Sequence, residues 1–225
     1  MDQKLAKKIS LKVQFDYNRI AKEFSNRRSG LTPDILEFAK HIKKNNKVLD
    51  FGCGNGRASE LVIRSGGNYT GVDNSSKMID QAKKIYPKEK FDLVDNLNNF
   101  PTGSFDVILC LAVLHHIPSE NLRKKFLSDF YRVLCPGGKL ILTVWDLQSE
   151  KNLHKTIPNA DKNDILYDFK NASGKVLAER YIHIFSKEKL NNLVLNTGFE
   201  IIDSYQNSRG NKKVNHNLVI IAKKN

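Results

Sequence analysis

Residues 48–57, Val-Leu-Asp-Phe-Gly-Cys-Gly-Asn-Gly-Arg, constrain this chain more than any other stretch. A short apolar run ends in Asp50. Glycines follow at Gly52, Gly54 and Gly56, and a helical pattern then opens with Ala58, Leu61 and Val62. The pattern is a strand, a tight glycine turn and a helix N-terminus in ten residues. Glycine tolerates positive φ and lets a ligand approach the backbone closely. A helix N-terminus aims free N–H groups and a positive partial charge at whatever sits there.

The spacing selects among ligands. A dinucleotide fingerprint, G-x-G-x-x-G, needs its third glycine at position 57, which is Arg57. No G-K-[ST] follows, so a phosphate-cradling P-loop is excluded. The run Asp-x-Gly-x-Gly-x-Gly resembles motif I of the class I S-adenosylmethionine (SAM) methyltransferases. An ordinary strand-to-helix turn is the alternative for the loop alone, but the loop has company. Asn68–Asp73 has the pattern of a second strand ending in a carboxylate, 23 residues after Asp50. In a Rossmann-like β-α-β unit that acid sits where a ribose binds. The competing role for Asp73 or Asn74 is the N-cap of the helix that follows. Asp95 comes after Phe91-Asp-Leu-Val, at the end of a third strand. There it can accept from an adenine amino group while Asn96 and Leu97 line the ring.

Phe105–Ile117 is expected as one continuous buried parallel strand running into His115 and His116. Arg132-Val-Leu-Cys-Pro-Gly-Gly138 and the strand Lys139–Trp145 complete a pattern, over residues 47–146, similar to a whole class I methyltransferase core. The resemblance implies SAM as cofactor, S-adenosylhomocysteine as product, and a cofactor site at Asp50, Gly52, Gly54, Gly56, Asp73, Asp95, Asn96 and Leu97. Cys53, Arg57, Asn74, Met78, Leu111 and Ala112 join that site from the same motifs.

A chain of 225 residues can bury one substantial core, and a single domain is expected over 1–225. Its parts are a helical flank (1–46), the core (47–146), a substrate-side insertion (147–185) and a terminal helix with a strand pair (186–225). No apolar run approaches the ~20 residues that cross a bilayer, and residues 1–8 carry no apolar signal-peptide segment. Cys53, Cys110 and Cys135 show no paired spacing, which suggests reduced thiols in a cytoplasm and no zinc site.

The net charge of +13 is uneven. Residues 1–46 hold 11 Lys/Arg against 5 Asp/Glu, residues 47–146 hold 13 against 11, and residues 147–225 hold 13 against 8. The excess lies in the flanks, where a substrate face is built. A basic face favours a polyanion through phosphate contacts and counterion release; compositional bias in a lysine- and asparagine-rich chain is the other explanation. The flanks themselves are patterned. Phe15, Ile20, Ala21 and Phe24 form a helical stripe. Thr32 caps a helix through Ile42 with Pro33 in its first turn. Residues 147–180 are expected to be a partly helical insertion. Ser186 caps a helix ended by Gly198, and Phe199–Tyr205 and Asn217–Ala222 pair through a turn at Gly210. The fold expected is α/β: a Rossmann-like, mostly parallel sheet of seven strands with an antiparallel last strand and helices on both faces.

A narrower resemblance is carried by Tyr17–Arg28, Ala112-Val-Leu-His-His-Ile117, Leu142-Thr-Val-Trp145, Asp164–Phe169 and Arg180-Tyr-Ile-His-Ile-Phe185. These segments are similar to the tRNA wobble-uridine carboxymethyl methyltransferases over about residues 15–200. The chain departs from that pattern at Ser29–Pro33, at Ala58-Ser59 and at Asn215–Ile221. The resemblance implies tRNA as substrate and a small zinc-binding activator as a possible partner. A small-molecule O-, N- or C-methyltransferase and a catalytically silent SAM-binding scaffold are the alternatives.

Methyl transfer from a sulfonium is an in-line displacement that rests largely on positioning. A carboxylate acceptor is already ionised and needs cations to orient it. The candidates are Arg28 (or Arg27), Arg123 and Arg180. A phenol, amine or carbon acid needs a base, for which His115 or His116 is placed. Each has a plainer role: a supporting or capping histidine and a solvated Arg123–Lys125 helix face. Trp145, at a strand end, either stacks on a base or walls the cofactor pocket, the wall being preferred. Arg180, Tyr181 and His183 are expected on one face of a short strand near the site.

Overall fold

The computed structural model describes residues 1–28, 30–208 and 216–225. The chain opens with a long helix, α1 (Gln3–Arg27), whose N-cap is Asp2: its carboxylate accepts from the Leu5 N–H at 2.7 Å. A short α2 (Pro33–Leu36) continues as a 3-10 turn over Glu37–His41. The Thr32 hydroxyl makes no capping bond, so the single helix expected there is two tight turns.

The core then alternates β1 (Lys47–Phe51), α3 (Ala58–Arg64), β2 (Asn68–Asp73), α4 (Ser76–Ile85), β3 (Lys90–Leu93), β4 (Phe105–Leu111), α5 (Glu120–Val133) and β5 (Leu134–Asp146). Two corrections arise here. The N-cap of α4 is Ser75, whose Oγ accepts from the Met78 N–H; Asp73 and Asn74 are not the cap. The apolar run from Phe105 does not continue to Ile117 as strand. It ends at Leu111, Ala112 takes a φ of +59°, and Leu114–His116 forms a 3-10 turn.

Residues 147–185 differ most from expectation. Beyond one 3-10 turn (Gln148–Leu153) they form β6 (Lys155–Thr156), β7 (Asp164–Lys170) and β8 (Val176–His183), a separate three-stranded antiparallel sheet. The helix α6 (Lys187–Leu195) is capped by the Ser186 hydroxyl, and β9 (Glu200–Ser208) and β10 (His216–Lys223) complete the chain. Gly210, expected in the turn between them, lies outside the described residues.

The large sheet has the order β3-β2-β1-β4-β5-β10-β9. The first five strands are parallel, and β10 runs antiparallel to both β5 and β9. Helices cover both faces, and two apolar clusters fill the interfaces, one around Phe130, Leu127 and Leu142, the other around Phe38, Val62 and Ile141. The order reverses between β1 and β4, and an open α/β sheet leaves a crevice outside the C-terminal strand ends at that point.

The crevice is roofed by α1, which is fastened on both sides. Toward α4, the Gln14 amide donates to the Asn74 carbonyl (2.6 Å), and the Asn18 Oδ1 accepts from the Ser75 hydroxyl (2.8 Å) and the Lys77 N–H (3.1 Å). Toward the small sheet, Lys12 and Arg27 donate to the carbonyls of Glu179 and Lys170. Ala6, Ile9, Ile20 and Ala21 face inward and are buried, whereas Phe15, expected on the apolar stripe, is 64% exposed.

Candidate functional site

Between roof and strand ends lies a cavity of about 440 Å³, within the ~300–1,000 Å³ typical of small-molecule sites. Its floor is the glycine turn. Gly52 and Gly54 have φ of +71° and +56° and both line the cavity. A Cβ on Gly52 would strike Val113 at 2.4 Å, so packing alone demands glycine there. A Cβ on Gly54 would have as its nearest neighbour Phe24 at 3.9 Å. Among the described residues nothing fills the space above Gly54, which is the cradle a ligand would occupy. Gly56 behaves otherwise. It does not line the cavity, and a Cβ there would meet the Phe91 ring at 2.6 Å. Its place in the turn is a packing requirement.

Two carboxylates sit in this floor. Asp50 is 3% exposed and accepts from the Tyr69 hydroxyl at 2.7 Å. Burial pushes its pKa up to about 7, against the pull of that hydrogen bond. Asp73 accepts from the Gly54 N–H (2.9 Å) with one oxygen and from the Ser75 N–H (2.8 Å) with the other. Burial raises it too, and the backbone bonds work against the rise. Each oxygen keeps a second lone pair for a hydroxyl. The Cys53 thiol also lines the cavity, and burial raises its pKa well above the usual value, so it is a thiol and not a nucleophilic thiolate.

Arg57, Asn74, Met78, Asp95, Leu111 and Ala112 line the same cavity. Two residues expected beside Asp95 do not. Asn96 is exposed and turns its side chain back onto the Asn98 N–H, and Leu97 is fully buried in the core behind β3. Ala112 is held in its left-handed conformation by a backbone N–H that donates to both oxygens of Thr143, at 2.9 and 3.0 Å. Strain of this kind persists where the surroundings over-determine it.

Beside that floor the cavity wall is aromatic and cationic. Trp145, at the end of β5, forms its wall, as expected. The Arg28 guanidinium lies 4.7 Å from the Phe24 ring and 5.8 Å from Trp145, its carbonyl held by the Asn55 amide at 2.9 Å. Arg180 does not itself line the cavity: 4% exposed, it packs on the wall residue Trp145 at 5.0 Å and lies 5.5 Å from Tyr167 and 5.3 Å from Phe169. Its Nε and Nη1 are buried without a hydrogen-bond partner among the described residues. The third candidate, Arg123, does not join them. It is buried under the start of α5, where Nη1 donates to the Ile117 carbonyl and the guanidinium covers Phe185. Nor do Arg180, Tyr181 and His183 share a face, because strand side chains alternate. Tyr181 and His183 both donate to Asp164 at 2.7 Å, away from Trp145. Burial works to raise the Asp164 carboxyl, but those two bonds outweigh it and hold the pKa below its usual value.

His116 lines the cavity with both nitrogens engaged. Nδ1 donates to the Tyr181 carbonyl (2.7 Å), which leaves Nε2 as the acceptor for the Tyr17 hydroxyl (2.7 Å). Burial, then Arg180 and Arg28, lower its pKa to about 3. It is a neutral, fixed imidazole at any working pH. His115 is fully buried behind it and accepts from the Trp145 N–H. The motifs do not mark Tyr17, Gln14 and Phe24 as site residues. These three reach the cavity because α1 roofs it; their spacing on the inner side of one helix is a signal for all three, and Tyr17 and Phe24 also fall in the segment that carries the narrower resemblance. No cluster of three metal-ligating side chains occurs among the described residues, and no helix among them is long and apolar enough to cross a membrane.

The geometry agrees with what the chain is similar to. A family model described as a methyltransferase domain matches residues 24–204. A tRNA (carboxymethyluridine(34)-5-O)-methyltransferase of Schizosaccharomyces pombe is 29% identical over 206 residues, which cover 83% of this chain and 88% of that protein. Other curated relatives of that name are longer, and the chain spans a third or less of them. A SAM-dependent methyltransferase of Methanosarcina mazei superposes with a TM-score of 0.72 at 25% identity, covering 87% of this chain and 99% of that one. The fold is also that of a putative methyltransferase of Haloferax volcanii solved in complex with the activator Trm112, with a TM-score of 0.65 at 13% identity, covering 92% and 96%. Matched over most of its length, and with an open glycine cradle beside a buried carboxylate, the chain belongs to the SAM-dependent methyltransferases.

Proposed function

We propose that this methyltransferase esterifies the carboxymethyl group of a modified wobble uridine in tRNA. The observation that carries the reading is the cationic wall of the cavity around Trp145, with Arg28 lining it and Arg180 packed on the tryptophan. Arg180 is buried with two donor nitrogens unpartnered, Arg28 lies on the same tryptophan, and the nearby histidine is neutral with both nitrogens occupied. A buried guanidinium with free donors is matched by a planar anion. A carboxylate is already ionised from about pH 5 upward, so the acceptor needs no base, and His116 is not available as one.

Bound SAM supplies a methyl group on a sulfonium centre. In this reading Gly54, Asp73 and Asp95 hold the cofactor, and Asp50 sets the charge of the floor. Trp145 and Phe24 exclude water from the acceptor, and Arg28 and Arg180 aim one carboxylate oxygen along the line of attack. The Tyr17 hydroxyl and the Tyr181 carbonyl hold the His116 ring edge-on to Trp145. The cytoplasm, where such a tRNA would be met, is the compartment this reading implies, and an activator of the Trm112 kind is its natural protein partner.

The test is nucleoside mass spectrometry. Carboxymethyluridine-bearing tRNA is incubated with the protein and SAM, with and without a Trm112-type activator. Appearance of the methyl ester at the wobble position supports the reading. Turnover of small phenols or amines, with tRNA untouched in both arms, overturns it in favour of a small-molecule methyltransferase.

A further inference from the structure

The outward side of α1 repeats at three- and four-residue intervals: Lys4, Lys8, Leu11, Phe15, Arg19 and Lys22, all exposed. Residues so spaced share one face of a helix. The two ion pairs within α1, Lys12–Asp16 and Arg27–Glu23, involve none of these four cations. Among the described residues none of the four lies within ion-pair distance of a carboxylate. On α5, by contrast, Lys124 and Lys125 are each paired four residues away, with Glu120 and Asp129. Between the free cations stands Phe15, the most exposed large apolar side chain among the described residues.

From this we infer that the outer face of α1 is an RNA-tracking strip, with a pair of cations on phosphates at each end (Lys4 and Lys8, Arg19 and Lys22) and Phe15 stacked on a base between them. The inference rests on the tRNA reading above and adds the surface that would hold the RNA. Lys4 to Lys22 spans about 27 Å of helix, enough to follow several phosphates. Cations with interleaved aromatics are the usual means of holding a single strand without reading its sequence. The strip also lies in the right place. It is the back of the cavity roof, and Lys7 and Leu11 are both exposed and cavity-lining, so the strip meets the cavity at its edge. A membrane surface suits it less. Interfacial helices need a free apolar face, and here the apolar face of α1 is already buried against the protein through Ile9, Ile20 and Ala21.

The probe is a synthetic tRNA anticodon stem–loop, with binding measured from low to moderate salt on the full chain. Lys8→Glu with Arg19→Glu should weaken binding at least tenfold and flatten the log–log salt slope by about 1.5. Phe15→Ala should weaken it about tenfold with the slope unchanged. SAM affinity and melting temperature should stay at wild-type values in both. Lys43→Glu with Lys44→Glu, exposed residues ahead of β1 at the opposite end of the strands, make the same charge change away from the roof and should alter binding little. Equal losses in the two charge-reversal pairs would mean a diffuse charge effect and overturn the strip. Wild-type RNA binding that survives both α1 variants overturns the strip alone. Wild-type protein that binds no RNA at any salt, or only anionic vesicles, overturns the strip and the tRNA reading together.

Discussion

The two sides of the cavity are built by different means. On the cofactor side a backbone turn does the work. Gly52, Cys53 and Gly54 are consecutive, and their partner Asp73 follows one β-α-β unit later. At the side proposed to take the acceptor, no two of Tyr17, Arg28, His116, Trp145 and Arg180 are neighbours in the chain. They meet because a roof helix, a 3-10 turn, a strand end and a second sheet converge. The first side needs particular backbone dihedrals and offers N–H groups and carboxylates. The second needs only packing, and offers cations and rings. A site held by main-chain geometry tolerates little change at single positions, whereas one held by packing can alter its acceptor while the fold stays the same.

The largest effect should separate two glycines of the same turn. Gly54→Val puts a branched side chain into the open cradle, at a φ that disfavours it, and should abolish SAM binding in calorimetry while the protein still folds. Gly56→Ala instead drives a methyl group into Phe91 and should lower the melting temperature before it touches affinity. If Gly54→Val binds SAM normally, the cofactor does not lie on this turn.

The next effect sharpens the other side. Arg180→Ala should cut turnover on the carboxymethyl substrate roughly 10- to 100-fold, the loss expected for a hydrogen bond to a charged group, with SAM affinity intact. Arg180→Lys should recover part of that loss. Because His116 is already neutral, wild-type turnover should show no histidine limb between pH 6 and 8, and His116→Ala should cost less than Arg180→Ala. A rate that rises through that range and flattens on histidine substitution would reverse the assignment of roles.

The smallest effect concerns the floor. The folded Asp50 pKa, about 7, lies above its unfolded value near 3.8. The folded state therefore binds the proton more tightly. Stability from this group is full below the unfolded pKa and is lost as pH rises through about 7, at up to ~1.4 kcal/mol per pH unit. Asp50→Asn cannot ionise. Its melting temperature should fall less between pH 4.5 and 7.5 than that of the wild type, and parallel curves would show that the carboxyl is not protonated in the fold.

The same contrast between main chain and packing decides what is legible in the sequence. Motif spacing specifies a main-chain path, so the positions of Asp50, Gly54 and Asp73 and the seven-stranded sheet can be read from it. Spacing does not say what a glycine faces, so Gly56 reads the same as Gly54 although one packs on Phe91 and the other on open space. Leu97 stands two residues from Asp95 and reads as part of the same site, but a strand-end loop turns within two residues. Arg123 and Arg180 are equivalent as types. Only the meeting of β8 with Trp145 favours Arg180; a short strand at Arg180–His183 can be read, but its partners β6 and β7 lie in a segment that reads as partly helical. Phe15 reads as part of the buried stripe because one apolar residue on a helix carries no mark of which side it takes.

The antiparallel insertion of β10 has a consequence for how the protein is made. Residues 216–223 follow β9 in the sequence, yet they sit inside the sheet, bonded to β5 on one side and β9 on the other, with six consecutive residues buried. While this segment is still within the ribosome, β5 is an open apolar edge and β9 has nothing to pair with. Assembly of the sheet therefore waits until residues 216–223 have emerged and can enter between β5 and β9. Until then the nascent chain depends on not meeting another copy of itself.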